Sequence, residues 1–586
     1  MFPATTWVST SATPATRQLK RRLLREMRAS HANQGEFRLP VYSGHEGCLD
    51  GWPKPYMKGE LIMETSRRDF LKGAGVLAAS AAAMAGLSMT GCAAEEPAAT
   101  YETKYTCDVV IAGGGIGGLA AAVSAVEAGA NVILVEASGK VGGTSRFAAG
   151  AFGPRFGTDW EAAYAKAPMS DVELGKIVVE GWDPYVEWIE GLGLTIEPLG
   201  QGAYVWMGGE RQGQGSKSFT DEYLQQFGQI FTDKGGTTLV STRAVKILTD
   251  DKGAAIGLRV QDANGVYEIA AKSVILATGG WQCDKEMLTK YISRHADLAQ
   301  AQCVPYLDGS GIKMGVEVGA QLSRSFGSFY GHPQPWPVNY LNGIDTPAGY
   351  EALENVDEAH VMYYGTTEHS IQGMGVYLNM DGKRFVNEGL GSSLVNQEVM
   401  QQQYCRAYLI LDQAQRDIIA ATPFFVAAVI GGDRIDNMKA KGMTVIEGAT
   451  IDELLANVFA SHGGSEFNVA NAAATIAEYN AQVKAGNAAT MEIPHTFAIP
   501  ATPVESGPFY AIPVVAGIMA TFGGLKINTD CAVMSTAGTP IANLYAVPGA
   551  AGGIMNGDYW CVMSGYSVLG KLAGANAAAN GAAATA

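Results

Sequence analysis

From Cys107 the chain reads Cys-Asp-Val-Val-Ile-Ala, an apolar, β-branched run with little polar alternation, which predicts a strand of the kind buried on both faces in a parallel sheet. Gly113-Gly114-Gly115-Ile116-Gly117-Gly118 follows at once, and then Leu119 to Glu127, whose small apolar residues predict a helix. A second strand is predicted over Asn131 to Val135 and ends at Glu136. Comparable runs recur at Ser273 to Leu276, ahead of Ala277-Thr278-Gly279-Gly280, and at Leu544 to Val547, ahead of Pro548-Gly549. Far upstream, the 22 residues from Gly73 to Ala94 carry no charge and are mostly Ala, Gly, Leu and Met. They lack the polar face of a surface helix, and their hydrophobicity is too weak for a permanent membrane span.

Strand, glycines, helix, strand and terminal acid together form a dinucleotide-binding pattern. Gly113 permits the tight turn, Gly115 lets a pyrophosphate approach the backbone, and Gly118 packs helix on strand. The helix N-terminus then faces the phosphates, and Glu136 is placed to accept a hydrogen bond from a ribose hydroxyl. FAD and NAD share this pattern.

Composition narrows the picture. The chain has 586 residues, 47% hydrophobic and 17% charged, with 73 Gly and 23 Pro, which excludes a disordered tail, a collagen-like repeat and a coiled coil. At roughly 100 to 200 residues per domain, two to four domains are expected. Eight cysteines stand at 48, 92, 107, 283, 303, 405, 531 and 561 without any CxxC spacing, so no local haem or zinc signature is present and no metal site is expected. Residues 1–72 hold 12 Lys/Arg against 7 Asp/Glu, so a chain of net charge −16 has a body of −21. Such a body repels phosphate backbones, and nucleic acid is not an expected partner.

Ser66-Arg67-Arg68-Asp69-Phe70-Leu71-Lys72, followed by the uncharged run, resembles a twin-arginine export signal. Met89-Thr90-Gly91-Cys92 is similar to a lipoprotein processing site, with Met89 where Leu is more usual, so a lipid anchor at Cys92 is one expectation. Met57 or Met63 is the expected initiator. Residues 1–62 are then a mis-assigned start without a fold, 63–92 the signal and 93–104 a linker. The mature protein is expected outside the cytoplasmic membrane, in the cell envelope or periplasm.

With Gly142-Gly143-Thr144-Ser145-Arg146, Asp308-Gly309-Ser310-Gly311, Asn379 to Glu388 and Gly507-Pro508-Phe509-Tyr510 added in order, the chain from about 105 to 580 resembles the flavoprotein subunits of fumarate reductase and succinate dehydrogenase, a family that includes ketosteroid dehydrogenases. The resemblance implies an α/β fold with an α+β cap: a Rossmann-like FAD-binding domain over 105–330 and 499–580, with a substrate-capping domain inserted at 331–498. It implies FAD contacts at Gly113, Gly115, Ile116, Gly117 and Gly118, then at Glu136, Ala137, Gly143, Thr144 and Ser145. Further contacts are implied at Val245, through backbone groups on the adenine edge, at Ala277, Thr278 and Gly279, and at Gly549, Ser567 and Val568. A last helix starting near Ser564 is expected to aim its amides at the flavin. Relatives carry an acid where this chain has Ala550. The attachment histidine of succinate dehydrogenase falls near Arg146, and no His occurs between His45 and His295, so FAD is expected to be non-covalent.

Fumarate reductases clamp two carboxylates with arginines and histidines. Those positions here are Ser392, Ala520 and Tyr559, with only His332 near a family histidine. Losing two arginines and a histidine removes the cations that a dicarboxylate demands. Tyr559 resembles the ketosteroid dehydrogenase tyrosine that hydrogen-bonds a substrate ketone, although the Tyr-Pro-Gly-Pro-Gly run of those enzymes is missing. Tyr330, Tyr364 and His332 are the candidate proton donors, and Trp206, Phe329, Trp336, Tyr363, Tyr364 and Trp560 are candidates for a flat apolar pocket.

The expected activity is reduction, or desaturation, of a C=C bond conjugated to the carbonyl of a neutral enone or aromatic ketone. One alternative is an unsaturated carboxylate clamped by Arg384 or another arginine; a second is a non-catalytic flavin electron carrier. No second nucleotide-binding unit appears in the sequence. Electrons are therefore expected from a separate cytochrome, FMN-type or quinone-linked donor, which the acidic body is suited to dock if it is basic.

Overall fold

A computed structural model describes residues 100–148, 151–154, 157–198, 205–207, 219–335, 373–421, 433–440, 443–496 and 500–583. The export signal, Cys92, Trp336, Tyr363 and Tyr364 lie outside the described residues.

The first half contains β1 (Thr103–Ala112), α1 (Ile116–Glu127), β2 (Val132–Val135), α2 (Phe219–Asp233), β3 (Thr237–Leu239), β4 (Arg243–Thr249), β5 (Ala255–Asp262) and β6 (Gly265–Leu276). A short strand, β7 (Phe329–Tyr330), closes it. Next come β8 (Val376–Leu378), α3 (Ser392–Gln401), β9 (Arg406–Asp412), β10 (Ile446–Gly448), α4 (Ile451–Val458) and α5 (Val469–Lys484). The chain finishes with β11 (Phe509–Val515), β12 (Gly517–Ile518), β13 (Ala520–Thr521), β14 (Ala532–Met534), β15 (Pro540–Ala546) and α6 (Val562–Ala583).

One eight-stranded sheet has the order β14-β15-β6-β1-β2-β3, with β5 pairing β6 and β4 pairing β5. The strands β15, β6, β1, β2 and β3 run parallel. As the apolar runs predict, the four residues of β2 and Val109 to Ala112 of β1 are buried. Helix α1 is buried from Ile116 to Ala125 because α6 crosses it closely. A Cβ at Gly570 would overlap the Gly117 carbonyl, and one at Gly574 would overlap that of Ala121. The Gly/Ala-rich C-terminal stretch is thus a close helix contact, in which larger side chains would have no room.

A second sheet joins β8, β9, β11 and Gln334–Pro335, with β10 beside β11. Its core gathers Val376, Leu378, Ile410, Leu454, Leu455, Ile476, Tyr479, Phe509 and Ala511. Strand β11 pairs with β9 from Phe509 to Val515, so this layer continues past the expected boundary at 499 and the chain returns to the first layer after Val515. Two short ladders stitch neighbouring segments: β7 with β13, and Gln300–Ala301 with β12.

Candidate active site

At the carboxyl ends of β1 and β6 the backbone is drawn very close. Gly113 adopts φ +105°, its N–H donates to the Val135 carbonyl at 2.8 Å, and a Cβ there would overlap the Ala277 carbonyl. A Cβ at Gly118 would overlap the Gly113 carbonyl, so helix and turn meet only because both residues are glycine. Gly115 is different: a Cβ there would meet only the Ser145 Oγ, at 3.8 Å, which leaves open space above the first turn of α1. Ser145 Oγ accepts the Ile116 N–H at 3.2 Å, and Gly143 lies against Gly115. Open room, the N-terminal end of a helix and a hydroxyl make an anion cradle.

Glu136 is 7% exposed and its two carboxylate oxygens accept the N–H groups of Gly114 at 2.7 Å and Ser138 at 2.8 Å. The acid therefore fixes the glycine turn while standing at the end of β2, with Ala137 after it. Thr144 Oγ1 accepts the Val304 N–H at 3.2 Å. Arg146 is fully buried and bound through Nε and Nη2 to Asp221 of α2, which anchors this loop. Burial would raise the Asp221 carboxyl, but the adjoining Arg146 guanidinium more than offsets it and holds the carboxyl below the usual range.

Val245 falls at the register shift between Ala244 and Lys246 in the β4–β5 ladder, so it has no cross-strand partner in that ladder. Gly279 and Gly549 lie in the turns that follow the parallel strands β6 and β15, with φ of +73° and +99°, and a Cβ on Gly549 would come within 2.9 Å of Gly279 Cα. Thr278 Oγ1 is buried without a hydrogen-bond partner, beside Gly311. Helix α6 begins at Val562, two residues before the expected start. Ser567 and Val568 occupy its second turn with their side chains engaged by protein: the Ser567 hydroxyl donates to the Met563 carbonyl at 2.8 Å, and Val568 packs toward Gly181.

The second cluster joins four distant stretches. Tyr330 stands opposite Ala520 in the β7–β13 ladder. Its ring stacks on Tyr559, centroids 4.3 Å apart at 28°, and its hydroxyl lies 2.9 Å from His332 Nε2. His332, 9% exposed, hydrogen-bonds Ser392 Oγ through Nδ1. Every position at which the sequence departs from the dicarboxylate clamp, namely Ser392, Ala520 and Tyr559, thus adjoins Tyr330 or His332.

Helix α3 holds this group together. Ser392 opens it, and Asn396 pins Gly517 by a paired hydrogen bond, donating to its carbonyl at 2.7 Å and accepting its N–H at 3.0 Å. Gln397 donates to the Gly557 carbonyl at 2.6 Å, two residues before Tyr559. Gln302 Oε1 accepts the His332 N–H at 3.3 Å. The sequence held no signal for these supporting amides, because each is an ordinary polar residue until the fold buries it.

Some expectations need correction. Arg384 is engaged by protein: it is bound through Nε and Nη2 to Glu388, donates to the Ile493 and Pro494 carbonyls at 2.8 and 3.3 Å, and lies over the Tyr479 ring. With its donors committed inside the second layer, it cannot serve as a carboxylate clamp. Phe329 and Trp560 are core residues at 1% exposure each, and the Trp560 indole N–H donates to Ser170 Oγ at 3.0 Å. Trp206 lies on the strand Val205–Met207. Among the described residues no group of three or more His, Cys, Asp or Glu is disposed to hold a metal ion.

Residues 108–560 match the family model described as FAD binding domain, and residues 64–84 match the twin-arginine translocation pathway signal sequence. That signal directs export across the cytoplasmic membrane; among the described residues no helix is long and apolar enough to cross one. A probable fumarate reductase of Shewanella frigidimarina is 27% identical over 494 residues, covering 81% of this chain and 75% of that protein. A vinyl phenol reductase of Lactiplantibacillus plantarum is 25% identical over 507 residues, covering 79% and 93%. Among solved structures, a 3-ketosteroid-Δ4-(5α)-dehydrogenase from Rhodococcus jostii RHA1, in complex with 4-androstene-3,17-dione, shares the fold with a TM-score of 0.61 at 20% identity, over 81% of this chain and 98% of that one. The open space at Gly115, the amides of α1 and the carboxylate at the end of β2 fit the pyrophosphate and ribose of FAD.

Proposed function

The chain belongs to the FAD binding domain family, whose model spans residues 108–560 of it, and on that premise we propose that it is an exported FAD-dependent oxidoreductase reducing a C=C bond conjugated to a neutral carbonyl or aromatic ring. The observation that carries this reading is the composition of the Tyr330–His332 cluster: a phenol, a serine and an alanine adjoin it where fumarate reductases have cations. A neutral donor suits a neutral acceptor, because an unpaired guanidinium beside a ketone would be desolvated without a counter-charge. Fumarate and vinyl phenol reductases both lie at about this distance in sequence, so overall identity does not choose between a charged and a neutral substrate.

When bound, FAD supplies the hydride that saturates one carbon. Tyr559 donates its phenolic hydrogen to the substrate oxygen on which negative charge develops. Tyr330 gives a proton to the second carbon and takes one back from His332 Nε2, the imidazole being reprotonated from solvent. Ser392, on the other ring nitrogen, holds the imidazole in the orientation that this exchange requires. FAD is held non-covalently through Gly113 to Gly118, Glu136, Thr144, Ser145 and the backbone at Val245, Ala277, Thr278, Gly279 and Gly549. Electrons come from a separate carrier docked on the acidic body, and a lipid at Cys92 would keep the enzyme at the membrane where such carriers work.

The test is a substrate screen with purified holoprotein and reduced viologen. Cyclohexenones, steroid enones and hydroxystyrenes are expected to reoxidise the dye, with fumarate inert. Brisk fumarate consumption overturns the reading, and the absence of turnover with every acceptor favours the electron-carrier alternative. Acid precipitation should release the flavin into the supernatant; a yellow pellet overturns non-covalent binding.

A further inference from the structure

Six cysteines lie among the described residues, each as a thiol and none in a disulfide. Cys107, Cys405, Cys531 and Cys561 are buried. Cys283 and Cys303 form a pair: 20 residues apart in the chain, their sulfurs stand 3.6 Å from each other, Cys283 partly exposed and Cys303 buried beneath it. The contact is held from both sides. The Cys283 N–H donates to the Leu307 carbonyl at 2.9 Å, and the Cys283 thiol points to the Val304 carbonyl at 3.5 Å. Cys303, Val304 and Leu307 make a small apolar cluster against Cys283.

The hydrogen bond to Cys283, reinforced by burial, pushes the Cys303 thiol well above its ordinary range. Cys303 therefore keeps its proton, and Cys283 is the sulfur that an external reagent meets first. The export signal delivers the folded chain to a compartment where disulfides form and persist.

We propose that Cys283 and Cys303 are a redox-active dithiol that closes to a disulfide when the exported protein meets a disulfide-bearing oxidant. Closure needs the sulfurs to move from 3.6 Å to about 2.05 Å, a change within reach of small side-chain rotations. The Cys283 thiolate attacks one sulfur of the oxidant, forming a mixed disulfide and releasing the first thiol. Cys303 then loses its proton to solvent and attacks Cys283 Sγ, which forms the internal bond and expels the second thiol. Two electrons and two protons pass from the pair to the oxidant, which leaves as two thiols.

The pair lies between the cofactor and substrate clusters. Val304, next to Cys303, donates to Thr144 in the cofactor loop, and Gln302, on its other side, accepts from His332. Trp281, two residues before Cys283, donates its backbone N–H to Thr521 of β13 at 3.1 Å. A bond between the cysteines ties these segments together, independently of which substrate the enzyme reduces.

The experiment uses intact holoprotein, treated with oxidised glutathione or left reduced, then alkylated and digested without reductant for mass spectrometry. Oxidation should produce one linked peptide pair, Cys283 with Cys303, lacking two hydrogens and resisting alkylation. Cys303→Ala should stop at a glutathione adduct on Cys283, and Cys283→Ala should leave Cys303 unmodified, with the flavin absorbance of each variant confirming its fold. The midpoint of thermal flavin release should rise by several °C on oxidation of the wild type and not of either variant. Alkylation of both cysteines after oxidation, or glutathione on Cys303 in Cys283→Ala, overturns the proposal. An unchanged midpoint in a fully linked protein overturns its reach into the cofactor loop.

Discussion

The cofactor cradle and the substrate cluster are built on opposite principles. The cradle is backbone: Gly113, Gly115 and Gly118 act by what they lack, within one strand-turn-helix, and Glu136 braces the turn from the next strand. The cluster is side chains: Tyr330, His332, Ser392, Ala520 and Tyr559 come from widely separated stretches and meet only through α3 and the β7–β13 ladder. A site made of backbone tolerates almost no change in its glycines, whereas a site made of side chains can lose one function and keep its fold. Substitutions on the two sides should therefore fail in different ways.

The largest effect is expected at Gly118. Gly118→Ala places a methyl group into the Gly113 carbonyl, so the helix must separate from the turn. The purified protein should contain no flavin by absorbance, and a normal flavin content would show that the cradle is looser than its backbone suggests. Tyr559→Phe should retain full flavin and lose about 10²-fold in turnover, the usual cost of one donor to a developing oxyanion. Unchanged turnover would remove the phenol from the mechanism and with it the contrast between the two sides.

Arg384 tests whether the second layer contributes chemistry or only support. Its side chain is 7% exposed and that of Glu388 fully buried, so Arg384→Met strands a carboxylate that also sits 3.6 Å from His495. Breaking such a pair from one side costs about 3–5 kcal/mol, while replacing both members with apolar residues recovers much of it. Arg384→Met is expected to lower the melting temperature sharply but leave KM unchanged per folded flavin, and Arg384→Met with Glu388→Leu should regain stability. A selective rise in KM for carboxylate substrates would restore Arg384 as a clamp.

This contrast also explains what could be read from the chain. The cradle was legible because its signal is local: an apolar strand, spaced glycines and a helix follow one another, and the parallel core strands repeat the pattern at Ser273 and Leu544. The cluster was legible residue by residue, in Tyr330, His332 and Tyr559 as candidates and in Ser392 and Ala520 standing where the resemblance places charges. That His332 would bond Ser392, or that Asn396 and Gln397 would clamp two loops, depends on tertiary distances that no spacing encodes. The apolar run of β11 fits either sheet for the same reason, and only its pairing with β9 places it in the second layer. The Cys283–Cys303 pair, too far apart for a motif, belongs to this class.

The finest probe of the comparison is Ser392, because it separates a side chain that orients from one that reacts. In a neutral imidazole one nitrogen donates and the other accepts, so an Nε2–H that donates to the Tyr330 hydroxyl leaves Nδ1 to accept the Ser392 hydroxyl hydrogen. Ser392→Ala deletes that donor at a site 2% exposed to solvent. A single hydrogen bond of this kind is worth roughly 1 kcal/mol, so turnover should fall by about fivefold, with flavin content and KM unaffected. The decisive reading is the pH profile. An imidazole no longer held in one orientation shares its proton differently with Tyr330, so the limb that reports proton delivery should shift in Ser392→Ala and return in Ser392→Thr, which restores a hydroxyl. If Thr fails to rescue, or both variants keep the wild-type profile at reduced rate, Ser392 is packing for α3 and the exchange ends at His332.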